Sequence, residues 1–193
     1  HRGFWNCDAT LHTENSIAAL KAAQDNSFWG SEFDIHLTSD DQVVVHHDAS
    51  IEGNKIQKNT YDFLKQFKLP NGESMPTLDE YLEQGAKCAS TVLVLEFKSQ
   101  YSKEREDKMV DITFRKLKEH GLYDPGKVIF ISFSMNICQK VAAEAPEFTN
   151  QYLNGDIAPA DLHKDGINGI DYHYSAFYKH PEWVKEAHDL GMS

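Results

Sequence analysis

Three acids stand where a strand would turn them inward. Glu32 and Asp34 alternate in Ser31-Glu32-Phe33-Asp34-Ile35, and Glu96 closes the apolar run Val92-Leu93-Val94-Leu95. Residues i and i+2 of a strand share a face, so Glu32 and Asp34 point the same way. Inward carboxylates lose hydration and repel one another, at a cost of several kcal/mol, unless positive charge sits between them. Any one of them could be neutralised by Lys or Arg in a structural pair. Three at strand positions point instead to a divalent cation. An all-oxygen set with no Cys or paired His suits a hard ion, Ca²⁺ or Mg²⁺, better than zinc.

Histidines stand beside these acids. His47-Asp48 closes the run Val43-Val44-Val45-His46, and His1-Arg2-Gly3 opens the chain. A lone histidine is more often structural, but a pair at strand ends near a cation can share base and acid work in ester cleavage. His46 competes with His47. Alternation sends the two to opposite sides, and the expectation is that His47 faces the acids while His46 enters the packing.

The elements that must carry these groups take turns along the chain. Strands are expected over 31–35, 43–47, 91–97, 127–133, 148–153 and 166–172. Runs such as Val128-Ile129-Phe130-Ile131 lack alternation, as in a parallel sheet covered on both faces. Helices are expected over 13–26, 77–84, 103–120, 136–145 and 181–190. Thr77-Leu78-Asp79-Glu80 forms a capping box, Gly121 and Gly191 serve as stops, and Pro181 lies in a first turn. Strands alternating with helices specify a parallel α/β sheet, open or closed. No Gly-rich phosphate loop follows the first strand, which weakens the open form. Between Asp34 and Val43 there is no room for a helix, so that crossover is expected to be extended.

The bulk numbers set limits. A chain of 193 residues, 40% hydrophobic and 25% charged, is most simply one domain, 1–193, around one core. A net charge of −11 argues against nucleic acid as partner, and no run is long enough for stable membrane insertion. Cys7, Cys88 and Cys138 form neither a zinc knuckle nor a full disulfide framework. Both ends read as cuts within a longer protein, so the lack of a leader leaves the compartment open.

Taken in order, His1-Arg2-Gly3, Glu14-Asn15, Glu32-Phe33-Asp34, Leu37-Thr38-Ser39-Asp40, His46-His47-Asp48 and Glu96-Phe97-Lys98 resemble the motifs of the glycerophosphodiester phosphodiesterase family. Pro76-Thr77-Leu78-Asp79-Glu80 and Ile131-Ser132-Phe133 extend the likeness. The resemblance implies a TIM-type (β/α)8 barrel with its site at the carboxyl ends of the strands, the first and last strands being incomplete in this chain. It implies Glu32, Asp34 and Glu96 as ligands of one divalent cation, His1 and His47 as the acid/base pair, and Arg2 and Lys98 as phosphate contacts. The implied substrate is a small glycerophosphodiester, cleaved to glycerol 3-phosphate and an alcohol. The family's scavenging role leans the compartment towards the bacterial periplasm or exterior. The short excursion 49–75 stands where many relatives carry a larger inserted subdomain. Two rivals share the barrel: a lysophospholipid or sphingolipid phosphodiesterase using the same residues, and a catalytically silent phosphodiester-binding barrel.

Overall fold

The computed structural model describes residues 1–193. Its main sheet holds β1 (Gly30–Leu37), β2 (Val43–Val45), β5 (Val92–Phe97), β6 (Val128–Ser132), β7 (Thr149–Tyr152) and β8 (Gly169–Ile170), in the order β2-β1-β5-β6-β7-β8. From β1 through β8 the neighbours run parallel. Helix α1 (Ile17–Asp25) precedes β1, and α3 (Leu78–Gly85), α4 (Lys103–Glu119), α5 (Met135–Glu144), α6 (Pro159–Lys164), α7 (Tyr174–Lys179) and α8 (Glu182–Asp189) fall between and after the strands. This is the arrangement of an incomplete TIM-type barrel. No helix is long and apolar enough to cross a membrane.

One side of the sheet is oil. Phe33, Ile35, Leu95, Phe97 and Phe130 are buried with Met109 and Leu117 of α4 in the main core. A second cluster, with Tyr152, Leu162, Tyr172 and Trp183, closes the C-terminal end. Helix ends obey the local signals. Thr77 accepts from the Glu80 amide while Glu80 accepts from the Thr77 amide, completing the capping box. Gly121 takes φ +67° just past α4, where a side chain would be strained.

The 43–47 segment corrects an expectation. It is not reached by an extended crossover and is not a parallel stave. β2 turns back on β1 antiparallel, with Ile35 opposite Val45 and Leu37 opposite Val43. The turn is closed by Thr38 N–H donating to the Gln42 carbonyl and by Asp41 at φ +62°. Val43 and Val45 enter the main core, whereas Val44 enters a separate cluster with Ile51, Ile56, Leu64, Leu69 and Met75. The unbroken valine run therefore reflects a strand sandwiched between the barrel and the excursion 49–75. That excursion holds a small hairpin, β3 (Ser50–Ile51) with β4 (Asn54–Lys55), and the short helix α2 (Tyr61–Leu64).

Helix α1 begins at Ile17, later than expected. Asn15 sits at φ +51°, outside helical space, and Ser16 is the N-cap, its side chain accepting from the Ala19 amide. The segment lost to the helix turns out to serve the site.

Candidate active site

Strand register brings the acids together. Asp34 lies directly opposite Glu96 across the β1–β5 ladder, and Glu32 is one alternation back on the same face. One carboxylate oxygen from each of Glu32, Asp34 and Glu96 lies within 4.8 Å of the others. Lys98, two residues beyond Glu96, reaches into the same group. Its Nζ is 2.6 Å from Glu96 Oε1 and 2.8 Å from Asp34 Oδ1.

One ammonium does not neutralise three acids. Burial, and then the Asp34 charge, push Glu32 up from 4.5 to about 8, against the lowering effect of a backbone N–H. Burial also raises Glu96, despite Lys98. Burial works against Asp34 as well, but Lys98, Asn15 and His47 outweigh it and hold that carboxyl below its ordinary range. Glu32 Oε1 is buried without a hydrogen-bond partner. A buried carboxylate oxygen with no donor, beside two further acids, fits a hard divalent cation in both charge and donor type.

The N-terminal segment wraps this cluster. Gly3 N–H donates to the Glu32 carbonyl at 2.9 Å, and Arg2 N–H donates to Glu32 Oε2 at 2.6 Å. His1 Nε2 stands 3.9 Å from the same oxygen, its ring 68% exposed and so open to a ligand. The chain bends here, with Arg2 at φ +57° and Gly3 at +79°. The Arg2 guanidinium is held by Glu14, Nη1 to Oε2 at 2.9 Å. A Cβ on Gly3 would lie 2.6 Å from Ala19 Cβ and 2.8 Å from the Ala19 carbonyl carbon. Gly3→Ala should therefore lower the stability by about 2 kcal/mol or more, seen as a lower urea midpoint at unchanged slope. An unchanged midpoint would mean the loop can move off α1.

Four residues that the sequence left without a role complete the site. Asn15 grips Asp34 twice: Nδ2 donates to Asp34 Oδ2 at 2.8 Å, and Oδ1 accepts from the Asp34 amide at 3.1 Å. Its left-handed backbone is one that Asn tolerates. Glu14 holds Arg2, as above. Asp48 Oδ1 lies 2.7 Å from His47 Nδ1, and that hydrogen bond is the main reason its carboxyl stays below the ordinary range. Accepting the Nδ1 proton leaves His47 Nε2 for proton transfer. His36, the fourth, continues the Glu32–Asp34 alternation, and period two alone could have found it. It is 3% exposed and burial pushes it down to about 4, so it is neutral, with Nε2 3.3 Å from the His47 carbonyl.

His36 also corrects an expectation about His46. The histidine inside the packing is His36. The His46 ring is only half-buried and hydrogen-bonds through Nδ1 to the Asp48 carbonyl at 3.0 Å.

Parallel strands that bring three carboxylates and a lysine together, with His1 on the N-terminal segment and His47 just past β2, define the class of α/β barrels with a polar site at the strand carboxyl ends. Within that class the chain belongs to the glycerophosphoryl diester phosphodiesterase family, whose model matches residues 1–193. It superimposes on the crystal structure of a glycerophosphodiester phosphodiesterase from Parabacteroides distasonis with TM-score 0.95 and 39% identity, covering 100% of this chain and 79% of that one. It shares its fold with an Oleispira antarctica phosphodiesterase solved in complex with the product sn-glycerol-3-phosphate, at TM-score 0.80 and 22% identity, covering 100% of this chain and 80% of that one. The curated glycerophosphodiester phosphodiesterase of Caldanaerobacter subterraneus subsp. tengcongensis is 36% identical over 89 residues, 46% of this chain and 32% of that protein. The chain spans less than two thirds of the length of the curated relatives it matches, 32% and 64%.

Proposed function

We propose that this chain carries, as one catalytic domain, a phosphoric diester hydrolase that splits glycerophosphodiesters into glycerol 3-phosphate and an alcohol. The observation that carries the proposal is the convergence of Glu32, Asp34 and Glu96 within 4.8 Å around a buried, partnerless Glu32 oxygen. Glu32, Asp34 and Glu96 would hold one divalent cation, Ca²⁺ or Mg²⁺. When bound, the cation supplies electrostatic stabilisation for charge developing on the phosphoryl oxygens.

The chain's own residues do the rest. Arg2 and Lys98 orient the phosphate, each with its charged head already positioned, Arg2 by Glu14 and Lys98 by the acids it bridges. His47, oriented by Asp48, and His1 hold the protons: one takes the proton of the attacking hydroxyl, the other gives one to the leaving alkoxide. Membership of the family and the Oleispira antarctica neighbour bound to sn-glycerol-3-phosphate support the choice of substrate.

The test is glycerol 3-phosphate release from glycerophosphocholine by the purified protein, with and without chelator. Release that chelation stops and Ca²⁺ or Mg²⁺ restores is the expected result. Release insensitive to chelator would remove the cation from the proposal, and none under any metal would remove the reaction.

A further inference from the structure

The excursion 49–75 has its own small core, built on Ile51, Ile56, Leu64, Leu69 and Met75 with Val44 beneath. Two of its side chains leave that core and bind backbone amides of the barrel. On one side Glu73 accepts from the Ile17 amide through Oε2 at 2.8 Å and from the Ala18 amide through Oε1 at 3.1 Å. These are the first amides of α1, which have no partner within the helix. Asn71 fixes Glu73 in turn, Nδ2 to Oε1 at 2.9 Å. On the other side Gln57 Oε1 accepts from the Tyr101 amide at 2.9 Å, and Nε2 donates to the Ser99 carbonyl at 3.2 Å. Both of its polar atoms are used on one stretch of chain.

What those two stretches carry is specific. Immediately before α1 stand Glu14, which holds Arg2, and Asn15, which grips Asp34. Immediately before Ser99 stands Lys98, beyond the last ladder position of β5 at Phe97. Glu96 lies inside that ladder, paired to β1 and to β6; Asp34 lies in it too, opposite Glu96, but its carboxylate is also held by Asn15. Lys98 is anchored by the Ile35 carbonyl, which accepts from its amide at 3.1 Å, and by the loop that Gln57 and Gln100 hold.

We propose that the excursion is a brace, with Glu73 and Gln57 as positioning residues that hold two different stretches of the cation and phosphate site. Glu73 fixes Asp34 through α1 and Asn15. Gln57 fixes Lys98 through the segment 99–101. This rests on the function proposed above for the site's acids and Lys98. The two arms then have separable consequences. Loss of the Glu73 arm frees the Asp34 carboxylate from Asn15, while loss of the Gln57 arm loosens the Lys98 ammonium that bridges Asp34 and Glu96 and leaves the Asn15 grip intact.

The experiment measures Ca²⁺ and Mg²⁺ binding by titration calorimetry, and kcat and KM on glycerophosphocholine, for Glu73→Ala, Glu73→Gln, Gln57→Ala and Lys65→Ala. Lys65 pairs with Asp62 inside the excursion and reports on any general loosening. Glu73→Ala should weaken cation binding about ten-fold or more. Glu73→Gln should recover part of that loss, because its carbonyl still accepts one of the two amides. Gln57→Ala should raise KM about ten-fold with kcat little changed and a smaller change in cation affinity than Glu73→Ala causes, and Lys65→Ala should resemble wild type in all three. Loss of thermal stability in Glu73→Ala and Gln57→Ala with wild-type cation affinity and KM would overturn the brace. So would equal effects of all four substitutions. A wild-type protein that binds cation but turns over no glycerophosphodiester would overturn the assigned reaction instead, and the calorimetric comparison of the Glu73 variants would still decide that arm.

Discussion

Glu32→Gln is expected to abolish cation binding, reduce glycerophosphodiester turnover about a thousandfold or more, and yet make the cation-free protein harder to unfold at alkaline pH. The first two effects follow from losing one of three carboxylate ligands, since a cation at a phosphoryl centre is worth several kcal/mol and each 1.36 kcal/mol is about tenfold in rate. The third follows from linkage. Burial, then Asp34, raise the Glu32 carboxyl from 4.5 to about 8 in the folded protein. Across that window the folded state binds a proton that the unfolded state has released, so cation-free stability falls as pH rises from 4.5 to about 8. Glutamine has no proton to lose and still offers an oxygen to the Arg2 amide. At pH 9 in chelator the variant should exceed wild type by about 2 kcal/mol, or about 4 to 8 °C in Tm. At pH 4 the gap should close. In Ca²⁺ or Mg²⁺ the order should reverse, because only wild type gains from binding. Thermal scans at the two pH values, with chelator and with cation, decide it. A cation-dependent Tm shift surviving in Glu32→Gln would remove Glu32 from the ligand set.

The same chemistry explains why the acid cluster was legible before any coordinates. A carboxylate at an inward strand position has no cheap explanation without positive charge, and alternation fixes the side on which it stands. Glu32, Asp34 and Glu96 needed only that and the strand register. The parallel strands were equally plain, because Val92-Leu93-Val94-Leu95 and Val128-Ile129-Phe130-Ile131 suit a strand covered on both faces, although Val92, Val94 and Ile129 on the second face are half-buried. The capping box at Thr77 was legible for a local reason, since both of its hydrogen bonds lie within four residues.

What escaped the sequence depended on partners far along the chain. The valines of β2 look like a buried parallel strand. They are buried because Val44 packs on an excursion whose core residues, Ile51 to Met75, show no periodic pattern. A gap too short for a helix fits a hairpin as well as a crossover, and Asp41 in the left-handed region was the deciding feature. Asn15 was absorbed into α1 by hydrophobic spacing. Its two hydrogen bonds to Asp34, 19 residues away, hold it out. The capping of α1 by Glu73 spans 56 residues and has no sequence signature at all. Roles for acids that point inward can be argued from one strand, whereas roles for the residues that hold them cannot.

His47 provides the sharpest separation between proton transfer and cation binding. Its ring stands outside the carboxylate cluster, with Nδ1 committed to Asp48 at 2.7 Å. An imidazole that ligates a cation through its free nitrogen cannot also accept a proton there, so the two roles exclude each other. His47→Ala should accordingly lower kcat by about 10² to 10⁴ while leaving Ca²⁺ or Mg²⁺ affinity at the wild-type value. Asp48→Asn should lose a large part of the same factor, because an amide can donate to Nδ1 and so favour the tautomer with its proton on Nε2. His46→Ala is the control. That ring is half-buried, hydrogen-bonds to the Asp48 carbonyl, and should be nearly silent in kcat. His1→Ala, which removes the ring near Glu32, should likewise lower kcat while leaving cation affinity at the wild-type value. If His47→Ala weakens cation binding in step with turnover, His47 is a ligand and the proton must be carried elsewhere. If His46→Ala and His47→Ala fall equally, the Asp48 contact orients a loop and not a base.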